Sequence, residues 1–187
     1  SLSNIISLVQ ENIERLLIAG LMPISMVPYY SIPEDMLDRI YVLPSSLCKT
    51  LFPIVSRTEN PSKLIIIDLF LNSFKFIIFI TSIVLLVIVI FSDLILKAWI
   101  NTNFSELATP VILCLSLGVL FSSLNMIFLT FFQGLGMPDI TAKLQTIRFP
   151  IIIIVSYFSI KYLGLSGAAF SWTFGRALAF FMNLLFF

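Results

Sequence analysis

The sequence predicts an all-α membrane protein organised as a single bundle of six transmembrane helices. Three observations carry that prediction. Of 187 residues, 59% are hydrophobic and only 11% are charged, against about a quarter charged in soluble domains. The mean hydropathy is +1.06. Charge-poor intervals of the roughly 20 residues that a spanning helix needs recur along the chain often enough for six spans. The same composition narrows the chemistry. With no histidine there is neither a Ser-His nucleophile nor a His-ligated zinc, and Cys48 and Cys114, far apart in apolar stretches, read as small core residues. No acid, base and nucleophile stand at a recognisable catalytic spacing. No catalytic residue, metal or cofactor is therefore expected, and a net charge of +1 gives no reason to expect nucleic acid as a partner.

The first helix is expected over about 4–22. It is the most polar, with Glu11, Glu14 and Arg15 inside it, and Pro23 and Pro28 break the pattern after it. The second covers about 25–56, starting either as a continuous, Pro-kinked helix near Ser25 or at Ser31-Ile32-Pro33-Glu34, which fits a capping box. The third, about 62–97, opens amphipathically, with Asp68, Asn72 and Lys75 on one face, and is wholly apolar from Phe76 to Ser92. It is longer than one crossing. The fourth, about 109–133, has Thr109 as N-cap and Pro110 at the first helical position. Gly134-Leu135-Gly136-Met137-Pro138 forms a tight turn into the fifth, 138–163, and Gly164 ends that helix. The sixth runs from about 166 to 187. A start at Ser1 without Met and an end inside an apolar helix lead us to expect a fragment of a longer chain, one lobe covering 1–187.

Basic residues orient membrane helices, since short cytoplasmic loops carry the excess of Lys and Arg. Arg57, Lys63, Lys75, Lys143 and Arg148 fall on one side and Lys97 and Lys161 on the other. The loops after the second and fourth helices are thus expected to be cytoplasmic, together with the N-terminus of the first helix.

Arg15, Arg39, Lys49 and Arg176 lie within predicted spans. A cation at the centre of a membrane helix costs about 2.5–3.5 kcal/mol on insertion scales, so each needs a partner or a watery cavity. Arg176 sits near the middle of the sixth helix, too deep to snorkel from either end; it either pairs with an acid such as Asp38 or faces a cavity. On the second helix Asp38, Ser45, Lys49 and Ser56 fall near one line at about 100° per residue, a polar stripe on an apolar rod, with Tyr41 and Arg39 to either side. Lys49 either snorkels or joins that stripe, and Asp38 with Arg39 is either hydrated at the interface or part of it. Glu11 and Arg15 are spaced to pair locally; alternatively Arg15 and Glu14 face the same cavity. Asn125, Gln133 and Asn183 read as interhelical hydrogen-bond partners.

This distribution suits transport better than catalysis. Basic groups on several helices, with Tyr and Trp nearby, would line a hydrated cleft for an anionic headgroup, and the guanidinium fork suits a diphosphate. The candidate lining holds four basic against about three acidic residues. Arg15, Asp38, Arg39, Lys49 and Arg176 are the candidate substrate-path residues, and Glu11, Glu14 and Asp38 the candidates for ion coupling.

Three segments also resemble a known family. VPYYSIPEDMLDRIYVLPSSLCKTLFPIVS at Val27–Ser56, FFQGLGMPDITAKLQ at Phe131–Gln145 and LGLSGAAFSWTFGR at Leu163–Arg176 resemble, in order and spacing, the region from helix eight to the start of helix twelve in bacterial O-antigen and polysaccharide flippases. These belong to the multidrug/oligosaccharidyl-lipid/polysaccharide exporter superfamily. The resemblance implies the C-terminal lobe, helices seven to twelve, of a twelve-helix inverted-V transporter in the bacterial inner membrane. It implies flipping of an undecaprenyl-diphosphate-linked oligosaccharide, such as an O-antigen repeat unit for lipopolysaccharide biosynthesis, by alternating access. The partners it implies are that lipid-linked substrate, membrane lipid and an N-terminal lobe. Arg176 matches the arginine after Trp-Thr in helix twelve, although Phe174-Gly175 separates it from Thr173 here; Asp38-Arg39 resembles an acid-base pair early in helix eight. Two other readings stand beside it: a multidrug or cation antiporter of the same superfamily, whose cleft would be acidic and aromatic, and a membrane enzyme of polysaccharide assembly, which would carry a large periplasmic loop.

Overall fold

A computed structural model describes the backbone of residues 2–57 and 63–187 and the side chains of 12–57 and 64–187. The described residues are helical throughout, without a strand: α1 (Leu2–Leu21), α2 (Val27–Asp38), α3 (Val42–Arg57), α4 (Lys63–Trp99), α5 (Thr102–Gly134) and α6 (Pro138–Phe186). Short 3₁₀ turns at Ile24–Met26 and Arg39–Tyr41 precede α2 and α3. Among the described residues α4, α5 and α6 are long and apolar enough to cross a membrane. At a rise of about 1.5 Å per residue the 37 residues of α4 reach well beyond the roughly 30 Å of a bilayer core.

Contacts fix the direction of each helix. Arg15 of α1 meets Glu34 of α2, so the two run antiparallel. Ser105 of α5 reaches Asp93 of α4 at one end, and Phe128 meets Phe70 at the other with ring centroids 5.0 Å apart; this pair is antiparallel too. Tyr29 stacks on Phe104 and Val55 packs on Gly134, which makes α2 and α3 parallel to α5. Inside α6, Gly164 has φ 61° and ψ −134°, a backbone open essentially to glycine. The chain reverses there into two antiparallel arms, 138–163 and 165–186. Ser159 faces Gly167 and Ile152 faces Gly175 so closely that a Cβ at Gly167 would run into the Ser159 carbonyl.

The core follows from spacing. On α4 the buried Phe70, Ser73, Ile77, Thr81 and Leu85 recur every three or four residues, one stripe against α5. The opposite face, including Phe79, Leu86 and Leu94, is exposed, as a lipid-facing surface requires. The central helix is α5, where Ser116, Ser123 and Thr130 are buried at intervals of seven and return their hydroxyls to carbonyls one turn back at 2.7–2.8 Å. Small side chains that satisfy themselves let neighbouring helices approach. Phe70 gathers Phe128, Phe131 and Phe187 around it at 4.2–5.3 Å, and this aromatic knot closes the end where α3, α5 and the second arm finish.

Several boundaries differ from the expected ones. The six predicted spans are not displayed as six separate rods: the second is divided into α2 and α3 by the 3₁₀ turn at Arg39–Tyr41, and the fifth and sixth are the arms of α6. The predicted N-cap at Thr109 is wrong. Helix α5 starts a full two turns earlier, where the Asn101 side chain accepts from the Phe104 amide at 2.8 Å, and Pro110 sits within the helix. The capping box at Ser31–Glu34 is likewise absent, because α2 already runs from Val27 and Glu34 turns to Arg15 instead. Asp68, Asn72 and Lys75 form the exposed polar face expected at the start of α4.

Candidate functional site

A cleft of about 570 Å³ opens between α1, α2, α5 and the second arm of α6, lined by Asn12, Arg15, Asp38, Tyr41, Ser122 and Arg176 together with Glu34 and Asp35. Asn12, Arg15, Glu34, Ser122 and Arg176 lie inside their helices, whereas Asp38 ends α2 and Tyr41 ends the 3₁₀ turn that follows. Asp38 caps the start of the 3₁₀ turn and Tyr41 is its last residue, and side chains three apart eclipse in that geometry. The irregularity in the second predicted span therefore aims both groups into one space.

Arg15 lies at the wall. Its Nε donates to Glu34 Oε2 at 2.7 Å and its Nη2 to Asp35 Oδ1 at 2.5 Å. The guanidinium thus bridges two successive acids and ties α1 to α2. The Glu34 side chain is 6% exposed and that of Asp35 60%, so the inner bond is shielded and the outer one is wet. The expected alternative, a local pair with Glu11, falls on a side chain outside the described residues.

Arg176 stands on the opposite wall. Its guanidinium carbon lies 4.8 Å from the Trp172 ring centroid, one helical turn away, a cation–π contact. Trp172 is in turn seated by Gly118, where a Cβ would come within 2.7 Å of the indole Cε3. Among the described residues the ion pairs are Arg15–Glu34, Arg15–Asp35 and Lys97–Asp93. Arg176 is in none of these three, and it and Asp38 both line the cleft. Glu14, only 2% exposed, faces the first arm of α6 and accepts from Ser156 Oγ at 3.3 Å. A carboxylate so enclosed, with a hydroxyl but no ion-pair partner among the described residues, is a place where a proton or small cation can be held.

The remaining candidates are placed differently. Arg39 is exposed and outside the cleft. Lys49 lines a separate cavity of about 290 Å³ with Cys48, Thr130 and Gln133. The predicted stripe from Asp38 to Lys49 is broken because each 3₁₀ residue turns the chain about 20° more than an α-helical one. Among the described residues the main cleft thus holds two basic and three acidic side chains, where four and about three were expected. Three contributors were missed. Glu34 and Asp35 were hidden by the capping-box reading, and Arg148, counted among the loop cations, lies inside the first arm of α6. Arg148 and Arg176 share a third cavity, of about 240 Å³, with Gln133, Gln145 and Asn183. There Asn183 Nδ2 donates to Asn125 Oδ1 at 2.6 Å, the interhelical bond expected of these amides. Arg176 lines both the main cleft and this cavity, and Gln133 both this cavity and that of Lys49, so the three adjoin in turn as a polar path from mid-bundle toward the end bearing Arg57 and Gly134.

No family model and no solved structure matches the chain. Among curated proteins it is similar to one from Shigella flexneri named "Putative O-antigen transporter", with 26% identity over 174 residues. The match covers 92% of this chain and 41% of the relative, so the chain spans less than half of that protein's length. A multi-pass helical membrane chain similar along nearly all its length to an O-antigen transporter is what sequence, structure and comparison support together.

Proposed function

We propose that this chain is the C-terminal, six-span lobe of a twelve-helix inverted-V transporter in the bacterial inner membrane. Its task in that reading is to move an undecaprenyl-diphosphate-linked oligosaccharide, an O-antigen repeat unit, from the cytoplasmic to the periplasmic leaflet by alternating access. The observation that carries the proposal is the polar path through Arg176, lined by Arg, carboxylate, amide and Tyr groups inside otherwise apolar helices. A membrane protein bears the cost of such groups where a hydrated solute passes, and substrate sites of repeat-built transporters lie near the midplane between the two lobes. The relative's name supplies the substrate class. The prenyl tail stays in lipid while Arg15, Asp38 and Arg176 face the headgroup and sugars, and Arg39 and Lys49 act outside the main cleft. The basic end, with Arg57, Lys63 and Lys143, is the cytoplasmic one; leaving out Arg148, the tally still favours it by four to two. Coupling to an ion gradient rests on Glu14, with Glu11 and Asp38 as further carboxylates.

The test is surface O-antigen in cells whose only transporter is the full-length protein with Arg176→Ala. Loss of O-antigen with the protein still in the membrane is expected; normal display sinks the assignment. A cation exporter of the same superfamily is the second reading, favoured by Glu34, Asp35 and Asp38 in the main cleft. Export of a cationic dye that Asp38→Asn abolishes, with O-antigen display unchanged, would select it.

A further inference from the structure

The polar path is not uniform in sign, and we propose that its anion seat is the cavity between α5 and the two arms of α6, where Arg148 and Arg176 together hold the oxygens of a diphosphate. This rests on the transport reading for the source of the diphosphate, but not for the seat itself. The main cleft is a poor place for phosphate: Glu34, Asp35 and Asp38 line it, and the Arg15 guanidinium is already occupied by two of those acids. Among the described residues the neighbouring cavity has no carboxylate in its lining. The fold instead brings two arginines from opposite arms of the hairpin into the lining of one cavity. Like charges so placed repel, and an anion between them converts that repulsion into two attractions.

Unsatisfied atoms point the same way. Arg148 Nε and Asn183 Oδ1 are both buried without a hydrogen-bond partner, and Asn183 is only 5% exposed. Buried polar atoms left unpaired are uncommon and call for a ligand or water. A donor fork beside an acceptor matches a phosphate oxyanion next to a hydroxyl, the arrangement at the junction of a diphosphate and its first sugar. Arg176, common to both cavities, then stands between the anion and the sugars. The acid-lined main cleft receives the hydroxyl-rich part, for which carboxylates are good acceptors.

The full-length protein in lipid nanodiscs tests this with two probes, inorganic diphosphate and undecaprenyl diphosphate, each titrated against wild type, Arg148→Gln, Arg148→Lys and Lys161→Gln. Arg148→Gln should weaken diphosphate about tenfold or more, the loss of a charge-assisted fork. Arg148→Lys, which keeps the charge and guards against misfolding, should fall between it and wild type, and Lys161→Gln, at the far end, should bind as wild type. A loss with both probes supports the seat for the anion as such; a loss with the lipid alone supports it for the headgroup. Unchanged binding of both probes by Arg148→Gln overturns the proposal, as does an equal loss caused by Arg15→Gln, which would put the anion in the main cleft. If Arg148→Gln loses diphosphate while surface O-antigen survives Arg176→Ala, the seat stands and the transport reading fails.

Discussion

Arg15→Gln is the substitution whose cost the geometry defines best. The wild-type guanidinium spans a shielded acid, Glu34, at 2.7 Å and an exposed one, Asp35, at 2.5 Å. An exposed pair contributes about 0–1 kcal/mol, so the outer bond matters little. Stranding a fully buried charge costs about 3–5 kcal/mol. Because the Arg15 side chain is itself 30% exposed and water can reach the gap, about 2–3 kcal/mol is the expected loss. The distinguishing feature is rescue. In Arg15→Gln/Glu34→Gln the stranded carboxylate is gone and the two amides can bond each other, so at least half of the lost stability should return. Asp35→Asn alone should cost under about 1 kcal/mol. Equilibrium unfolding of the purified full-length protein in detergent, run as a double-mutant cycle, measures these terms. If the double variant is as unstable as the sum of the two singles, the Arg15–Glu34 bond does not hold α1 to α2 and the reasoning fails.

Other expectations follow from individual contacts. Gly118→Val must push the Trp172 indole away, with an overpacking cost of about 1–3 kcal/mol and loss of the aromatic seat of Arg176; an unchanged thermal midpoint would contradict that packing. Gly164→Ala forces a Cβ onto φ 61°, ψ −134°, a strain of about 1–3 kcal/mol, and should lower the yield of folded protein, whereas Gly20→Ala, with open space around it, should not. Single cysteines at Asp38 and Tyr41 should react with a water-soluble thiol reagent and one at Leu86 should not; equal reactivity would deny that the cleft is wet. Glu14→Gln should leave the protein in the membrane but remove the dependence of O-antigen display on the ion gradient, and wild-type dependence would remove Glu14 from the coupling reading.

Much of the helical layout was legible because its signals are local. Apolar run length, Pro138 at the start of α6 and the left-handed glycines Gly136 and Gly164 act over a few residues, and periodicity alone places Asp68, Asn72 and Lys75 on the exposed side of α4. Reading failed where a local motif competes with a distant partner. Ser31–Glu34 has the spacing of a cap, yet Glu34 is held by Arg15 from another helix. Thr109-Pro110 has the look of a helix start, yet Asn101 supplies the cap and membrane helices accommodate an internal proline. The stripe from Asp38 to Lys49 assumed uniform α-helix, and the turn at Arg39–Tyr41 rotated its two halves apart.

The charges divide in the same manner. Composition by itself determined that the bilayer is the solvent and that a few charged side chains lie inside it, because insertion cost depends on residue type and depth, both of which sequence gives. Which of those charges meet was decided only by the tertiary structure. Arg148, unremarkable beside Pro150 in a helix of its own, comes to line one cavity with Arg176 once Gly164 reverses the chain; Arg39, next to Asp38 in sequence, ends outside the cleft that Asp38 lines. An electrostatic interaction depends on the distance between two groups brought together by folding, and no periodicity within one helix contains that distance.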